Sequence, residues 1–342
     1  MTFQSDSQPK LTSAELASLW TDFLQNTMTR CIFTYFLKDV EDKDIRNIIQ
    51  SAYTFSDENA KAISEFFSSE HIPLPVGFQD KDVNLNAPRL YSDLYMLFYI
   101  ENTLKAGLIS SGGALALCAR SDIREFFSDS LFKTTRLYNQ TVDQMASKGI
   151  LVRAPYIEYP NEVDQVDSHK YLSGLSLFNK KRPLNAIEIA YLHTNIQTNL
   201  LGAKLALSFA QSSAQKNVQR YMLRGANISE KHIKLFTDIL INNDIQPPIS
   251  SDHAITDSTT PPFSDKLMMF HMSVISALGT GNYATAAAAS QRSDLIVNYE
   301  RLSAEIAEFA KDGADIMINN AWLEQPPTTT DKELLAKKKD KR

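Results

Sequence analysis

The chain has 342 residues, 43% of them hydrophobic and 22% charged, and carries a net charge of −5 from 35 Lys and Arg against 40 Asp and Glu. That balance describes a folded protein with a real core, and the length suggests about two domains. The mild negative charge argues against nucleic acid as a partner, and no run of about 18 apolar residues is present to span a membrane.

The first ten residues, MTFQSDSQPK, lack the basic and apolar regions of a secretory signal, so a cytoplasmic location is expected. Thr12 followed three residues later by Glu15 is a capping box that opens a helix over 13–40. Cys31 lies in that helix and Cys118 in a later one; with no CxxC spacing, neither a disulfide nor a thiolate metal site is expected. Ile45, Ile49, Ala52, Ser56, Asn59, Ile63 and Phe66 recur at helical spacing and predict a second helix over 42–70. Residues 72–90, with prolines at 73, 75 and 88, read as an extended connection. Helices over 92–119 and 122–148 follow, joined by a tight turn at Arg120-Ser121. The connection, at about nineteen residues, can span about 60 Å. A 28-residue helix is only about 42 Å long, so the connection can run the length of a bundle. Short, long and short joints predict an all-α fold, a four-helix bundle with one long crossover between its second and third helices, which is the ferritin-like topology.

Residues 150–182 contain Pro155, Pro160 and Gly174 among Tyr156, Tyr159, Tyr171 and Phe178. So many aromatics predict a strap packed on a surface rather than a free linker. Beyond it the first pattern returns. Glu15 falls on Glu188 and Asn26 on Asn199 at an offset of 173, and Asp93 falls on Asp265 and Arg120-Ser121-Asp122 on Arg292-Ser293-Asp294 at an offset of 172. One unit is used twice. The predicted division is a first bundle over 11–149, a strap over 150–182, a second bundle over 183–323 and a flexible basic tail over 324–342. The four Ser-Asp pairs at 92, 121, 264 and 293 read as helix starts capped by their own side chains. Gly107 recurs as Gly279, beside Gly281 and a run of alanines. Glycine inside a helix costs about 1 kcal/mol relative to alanine, so its recurrence predicts a tight crossing; whether these glycines border a crossing or a cavity decides whether a small ligand could sit between the helices. The helix that opens the second bundle is apolar on two sides, along Ile187, Tyr191, Leu201 and Leu205 and along Ile189, His193, Ile196, Leu200 and Ala203. The second stripe is expected to be covered, by the first bundle in preference to a partner subunit.

Several segments, RPLNAIEI (182–189), MLRG (222–225), TDSTTPPFSDKLMMFH (256–271) and WLEQPP (322–327), resemble those of a family found in spore-forming bacilli, domain of unknown function 3231. The resemblance covers nearly the whole chain and both repeats. It implies a duplicated ferritin-like bundle, related to spore coat protein F, and so a sporulation or spore-coat setting. It implies no activity.

Ferritin-like bundles invite a di-metal site, built from a glutamate on each of two helices and Glu-x-x-His on the other two. No Glu-x-x-His occurs in helices two and four of either repeat, and in the first repeat Asn59 and Lys133 stand where His232 and Glu305 stand in the second. In the second repeat His232 falls on an inward seam, level with Glu305, with Thr194 and Thr198 as neighbouring hydroxyls. Two readings stay open there. The favoured one is a core histidine satisfied by hydrogen bonds; the rival is a mononuclear site for one iron, manganese or zinc ion, and the two candidate ligands fall short of the three expected of catalytic zinc. His193 is expected to serve packing, and His271 a hydrogen bond to Asp312. No catalytic residue and no cofactor are expected. The function expected is therefore that of a non-enzymatic structural or interaction protein that meets protein partners or itself, with no nucleic acid or membrane involved. A metal-binding protein, an oxidase for example, is the alternative.

Overall fold

The computed structural model describes residues 9–175, 181–248 and 255–339. Phe178 of the strap, part of the second crossover and the final Asp340-Lys341-Arg342 lie outside the described residues. Among those described, the chain is all helical. The first bundle holds α1 (Ser13–Asp39), α2 (Lys43–Ser69), α3 (Asp93–Leu117) and α4 (Ser121–Ser147). The second holds α5 (Ala186–Ser212), α6 (Lys216–Ile241), α7 (Asp265–Ala289) and α8 (Ser293–Asn319), and a short α9 (Lys332–Lys339) follows.

Carboxylates at the joints fix the direction of each helix. Glu15 closes its capping box on Thr12 and also accepts from the backbone N–H groups of Ala119 and Arg120 at 2.8 and 2.7 Å. Glu188 does the same with Asn185 and with Gln291 and Arg292 at 3.2 and 3.0 Å. The first and fourth helices of each bundle therefore start side by side. Asp93 accepts from the N–H of Asp42 at 2.7 Å, and Asp265 from those of Ala214 and Gln215 at 3.1 and 3.0 Å. Second and third helices thus also start at a common end, so each connection between them must cross the whole bundle. This is the expected crossover topology.

The two bundles are fused through those crossovers. Val83 bridges Phe263 and Tyr91 bridges Ile255, both antiparallel. Under the 172-residue offset each bridge maps onto the other. The N–H of Asn84 donates to Pro262 at 2.8 Å and that of Thr256 to Leu90 at 2.9 Å, a second equivalent pair. On the same axis Tyr99 Oη lies 3.1 Å from Nε2 of His271, its own counterpart. The halves therefore meet by the self-complementary patch of a two-fold dimer, inside one chain. One apolar cluster runs through both, from Phe33, Phe36 and Leu97 to Phe209, Phe263 and Met268. An outer cluster completes each bundle, around Phe67 and Phe127 in the first and Phe236 and Tyr299 in the second.

Helix α5 is covered on two sides, but its stripes divide differently from the expectation: Ile189 and Ile196, expected against the first bundle, pack inside the second, and Ile187 is exposed. Ile189, Leu192 and Ile196 join the second bundle's own cluster. Leu201, Leu205 and Phe209 join the shared one. Leu200 lines a narrow seam with Phe98, Met145 and Leu151, and His193 is buried where Arg153 of the strap passes. Three other expectations need correction. The strap is packed only at its ends; Tyr156 and Tyr159 are 73% and 81% exposed and touch each other instead. (The first residue of the tail, Glu324, accepts from the N–H groups of Val76 and Gly77 and from Lys266.) Ser92 and Ser264 cap their helices, but Arg120 and Arg292 occupy the cap positions of α4 and α8, their buried guanidinium groups paired with Asp122 and Asp294. Finally, a Cβ on Gly107 would stand 3.2 Å from Thr134, a close crossing, whereas Gly279 has ordinary contact with Ile306 and Gly281 faces open space.

Candidate functional site

His232 sits at the centre of the second bundle with no exposed surface, on the face of α6 that also buries Met222, Gly225 and Phe236. Two helices supply its partners, and a third supplies a group that orients one of them. From α5, the Asn199 amide donates to the Tyr283 hydroxyl at 2.7 Å and to the Asn195 carbonyl at the same distance, which orients the amide. Having accepted that hydrogen bond, the Tyr283 hydroxyl of α7 turns its own proton toward Nδ1 of His232, 3.0 Å away. Nε2 then carries the ring proton and donates to Glu305 of α8 at 3.2 Å. Lys231 closes the line from outside, donating to both Glu305 oxygens at 2.7 and 2.9 Å.

The electrostatics agree with a neutral ring beside an anionic carboxylate. Burial holds the His232 pKa below its ordinary value, outweighing the upward pull of Glu305. Burial pushes the Glu305 carboxyl up, but Lys231 and His232 together hold it below its ordinary value. Every member of the line thus has a donor or acceptor matched to it, as a buried polar chain requires.

These residues do not fit a metal ion. One imidazole nitrogen is taken by a tyrosine, and the other faces a single carboxylate already neutralised by a lysine. Among the described residues no three His, Cys, Asp or Glu side chains converge in a way that could hold a metal. Three protein ligands are the minimum seen at catalytic zinc.

Of the residues singled out in the sequence, His232 and Glu305 are brought together. Thr194 and Thr198 are not part of that shell: Thr198 donates to the Thr194 carbonyl at 3.0 Å, and both line a space between the bundles. His271 does not reach Asp312. It lies on the α7 face turned to the first bundle, against Tyr99, while Asp312 faces solvent and pairs with Arg224 at 2.6 Å. Counting residues along helices gave a shared level but not the rotation about each axis. Sequence reasoning also missed Tyr283 and Asn199. The recurrence of Asn199 as Asn26 was a usable signal, and Tyr283 was the lone large side chain in a run of glycines and alanines.

In the first bundle the same positions hold different chemistry. Asn59 donates to Ser130 at 3.2 Å where His232 meets its partners, and Ser111 stands at the place of Tyr283. Lys133 points outward and pairs with Glu58 at 3.4 Å, the Lys231–Glu305 bridge with its charges exchanged.

The repeat that joins these two interiors is matched by one family model, protein of unknown function (DUF3231), over residues 1–163 and again over 173–335. The chain belongs to the DUF3231 family. Its two copies thus correspond to the two bundles. No curated protein matches the chain. Among solved structures, a Bacillus halodurans C-125 protein provisionally described as a spore coat protein is similar at 20% identity. That match covers 44% of this chain and 98% of the other, with a TM-score of 0.40, too low to carry fold or function across. No helix among the described residues of this DUF3231 chain is long and apolar enough to cross a membrane.

Proposed function

We propose that this DUF3231 protein is a non-enzymatic structural or interaction protein whose two bundles act as one body. The closed line Asn199–Tyr283–His232–Glu305–Lys231 carries the reading: it uses both imidazole nitrogens at the one place where a ferritin-like interior would put metal chemistry. The setting, sporulation or the spore coat, comes from the family resemblance in the sequence and not from this geometry. Protein partners, or further copies of the same chain, are the contacts such a body would make. The test is elemental analysis of protein purified without chelators. The expected result is no stoichiometric iron, manganese or zinc. About one equivalent of any of them, lost on His232→Ala, would establish the metal-binding alternative instead.

A further inference from the structure

The duplication supplies an internal comparison that the centre of the first bundle fails in an informative way. Asn59, Ser111, Ser130 and Thr134 stand where the second bundle has His232, Tyr283, Leu302 and Ile306. Each replacement is smaller, and the last two are more polar. The space is not taken up by neighbours: a hollow of about 450 Å³ lies among these residues and extends to the α5 and α7 faces of the second bundle. An unfilled core is destabilising, and a space that size with polar groups set in a mostly apolar wall has room for water or a ligand. Small-molecule cavities begin at about 300 Å³.

The lining says what kind of molecule it would take. Asp22, on α1, lines the hollow and has one carboxylate oxygen buried with no hydrogen-bond partner. Burial pushes its pKa up to about 7, and only Asn26 opposes the shift. Cations that could serve an anionic ligand are not available. Lys105 also lines the hollow, but its ammonium is tied to Glu101 one turn away. His271, the other basic lining group, is 4% exposed and has an unpartnered Nδ1, and burial holds its pKa at about 3, so it offers no positive charge. Met28, Phe33 and Leu104 give the rest of the wall an apolar character. The hollow is not sealed, and it adjoins an open groove of about 1250 Å³ between the bundles, with Gln25, Ile109, Val274, Leu278 and Asn282 lining both.

We propose that the hollow of the first bundle binds a small organic amine, with its ammonium on the Asp22 carboxylate and its carbon body against Met28, Phe33 and Leu104. An unpaired buried acceptor with no cation at hand selects a ligand that donates protons and carries charge. The site lies in the bundle opposite to His232 and is independent of the reading given above for that residue.

Calorimetric titration of the full chain with phenethylamine, 2-phenylethanol and phenylacetate tests it, since the three share one carbon body and differ in the head group. The amine is expected to bind once per chain, about tenfold more tightly than the alcohol, with phenylacetate weakest. Asp22→Asn is expected to remove about that tenfold advantage and leave the alcohol unchanged. Ser111→Tyr, which installs the side chain of the filled bundle, is expected to abolish amine binding and raise Tm; it decides the matter if Asp22→Asn does not fold. An amine that binds no better than its alcohol or acid, that does not bind at all, or that still binds to the Ser111→Tyr chain would overturn the assignment.

Discussion

Replacing His232 by alanine removes the acceptor of the Tyr283 hydroxyl and leaves a space where the ring stood, two losses that together cost about 3 kcal/mol. Urea unfolding should show that loss, and an unchanged midpoint would mean the line of hydrogen bonds is not holding the core. His271 makes a prediction about pH. Burial depresses its pKa to about 3 in the folded chain, against an ordinary value of 6.5. The folded state therefore favours the neutral ring; the stability it confers is complete above pH 6.5 and falls as pH drops toward about 3. The His271→Phe chain should show a shallower loss over that window in pH-dependent unfolding, and an identical slope would contradict the assignment. At this scale the sequence was legible in part. It placed His232 inward, because that residue lies on a seam with strong helical period, and near Glu305, because the two fall at one level of the bundle. It could not place His271, since a histidine on a helix flank can face solvent, core or a second copy, and only the fold of the duplicate decides.

Helix ends are where the sequence was clearest and still incomplete. The capping box at Thr12 predicted the start of α1 to the residue, and the recurrence of Glu15 as Glu188 pointed to the matching start of α5. They did not reveal that the same glutamates reach across to the starts of α4 and α8, because a capping box is local while its spare oxygen is not. Burial pushes the Glu15 carboxyl up, yet the N–H groups of Arg120, Thr12 and Ala119 and the Thr12 hydroxyl outweigh it and hold the pKa at about 2, from an ordinary 4.5. A carboxylate depressed in this way stabilises the fold above pH 4.5, and that contribution is lost as pH falls through about 2. Glu15→Gln should lower Tm at neutral pH and remove this part of the acid dependence, whereas equal acid profiles for the two chains would show that the joint carries no such charge. The strap failed for a different reason. Its aromatics signal burial only if a surface is within reach, and Tyr156 and Tyr159 find each other first.

At the scale of the molecule, the repeat was readable because helix starts such as Arg-Ser-Asp recur at one spacing. The manner of joining was not, since crossover residues have no periodicity and pair only once both copies exist. That pairing, with Tyr35 against Phe263 at 5.3 Å and Tyr91 bonded to Ser208 at 2.9 Å, makes the inner end of each bundle part of a common core. Neither half then has a complete interior of its own, which is the central claim about this protein. Differential scanning calorimetry of the full chain tests it most directly. A single transition whose calorimetric and van't Hoff enthalpies agree is the predicted result; two separate transitions, each of about half the enthalpy, would show that the bundles are tethered neighbours and contradict it.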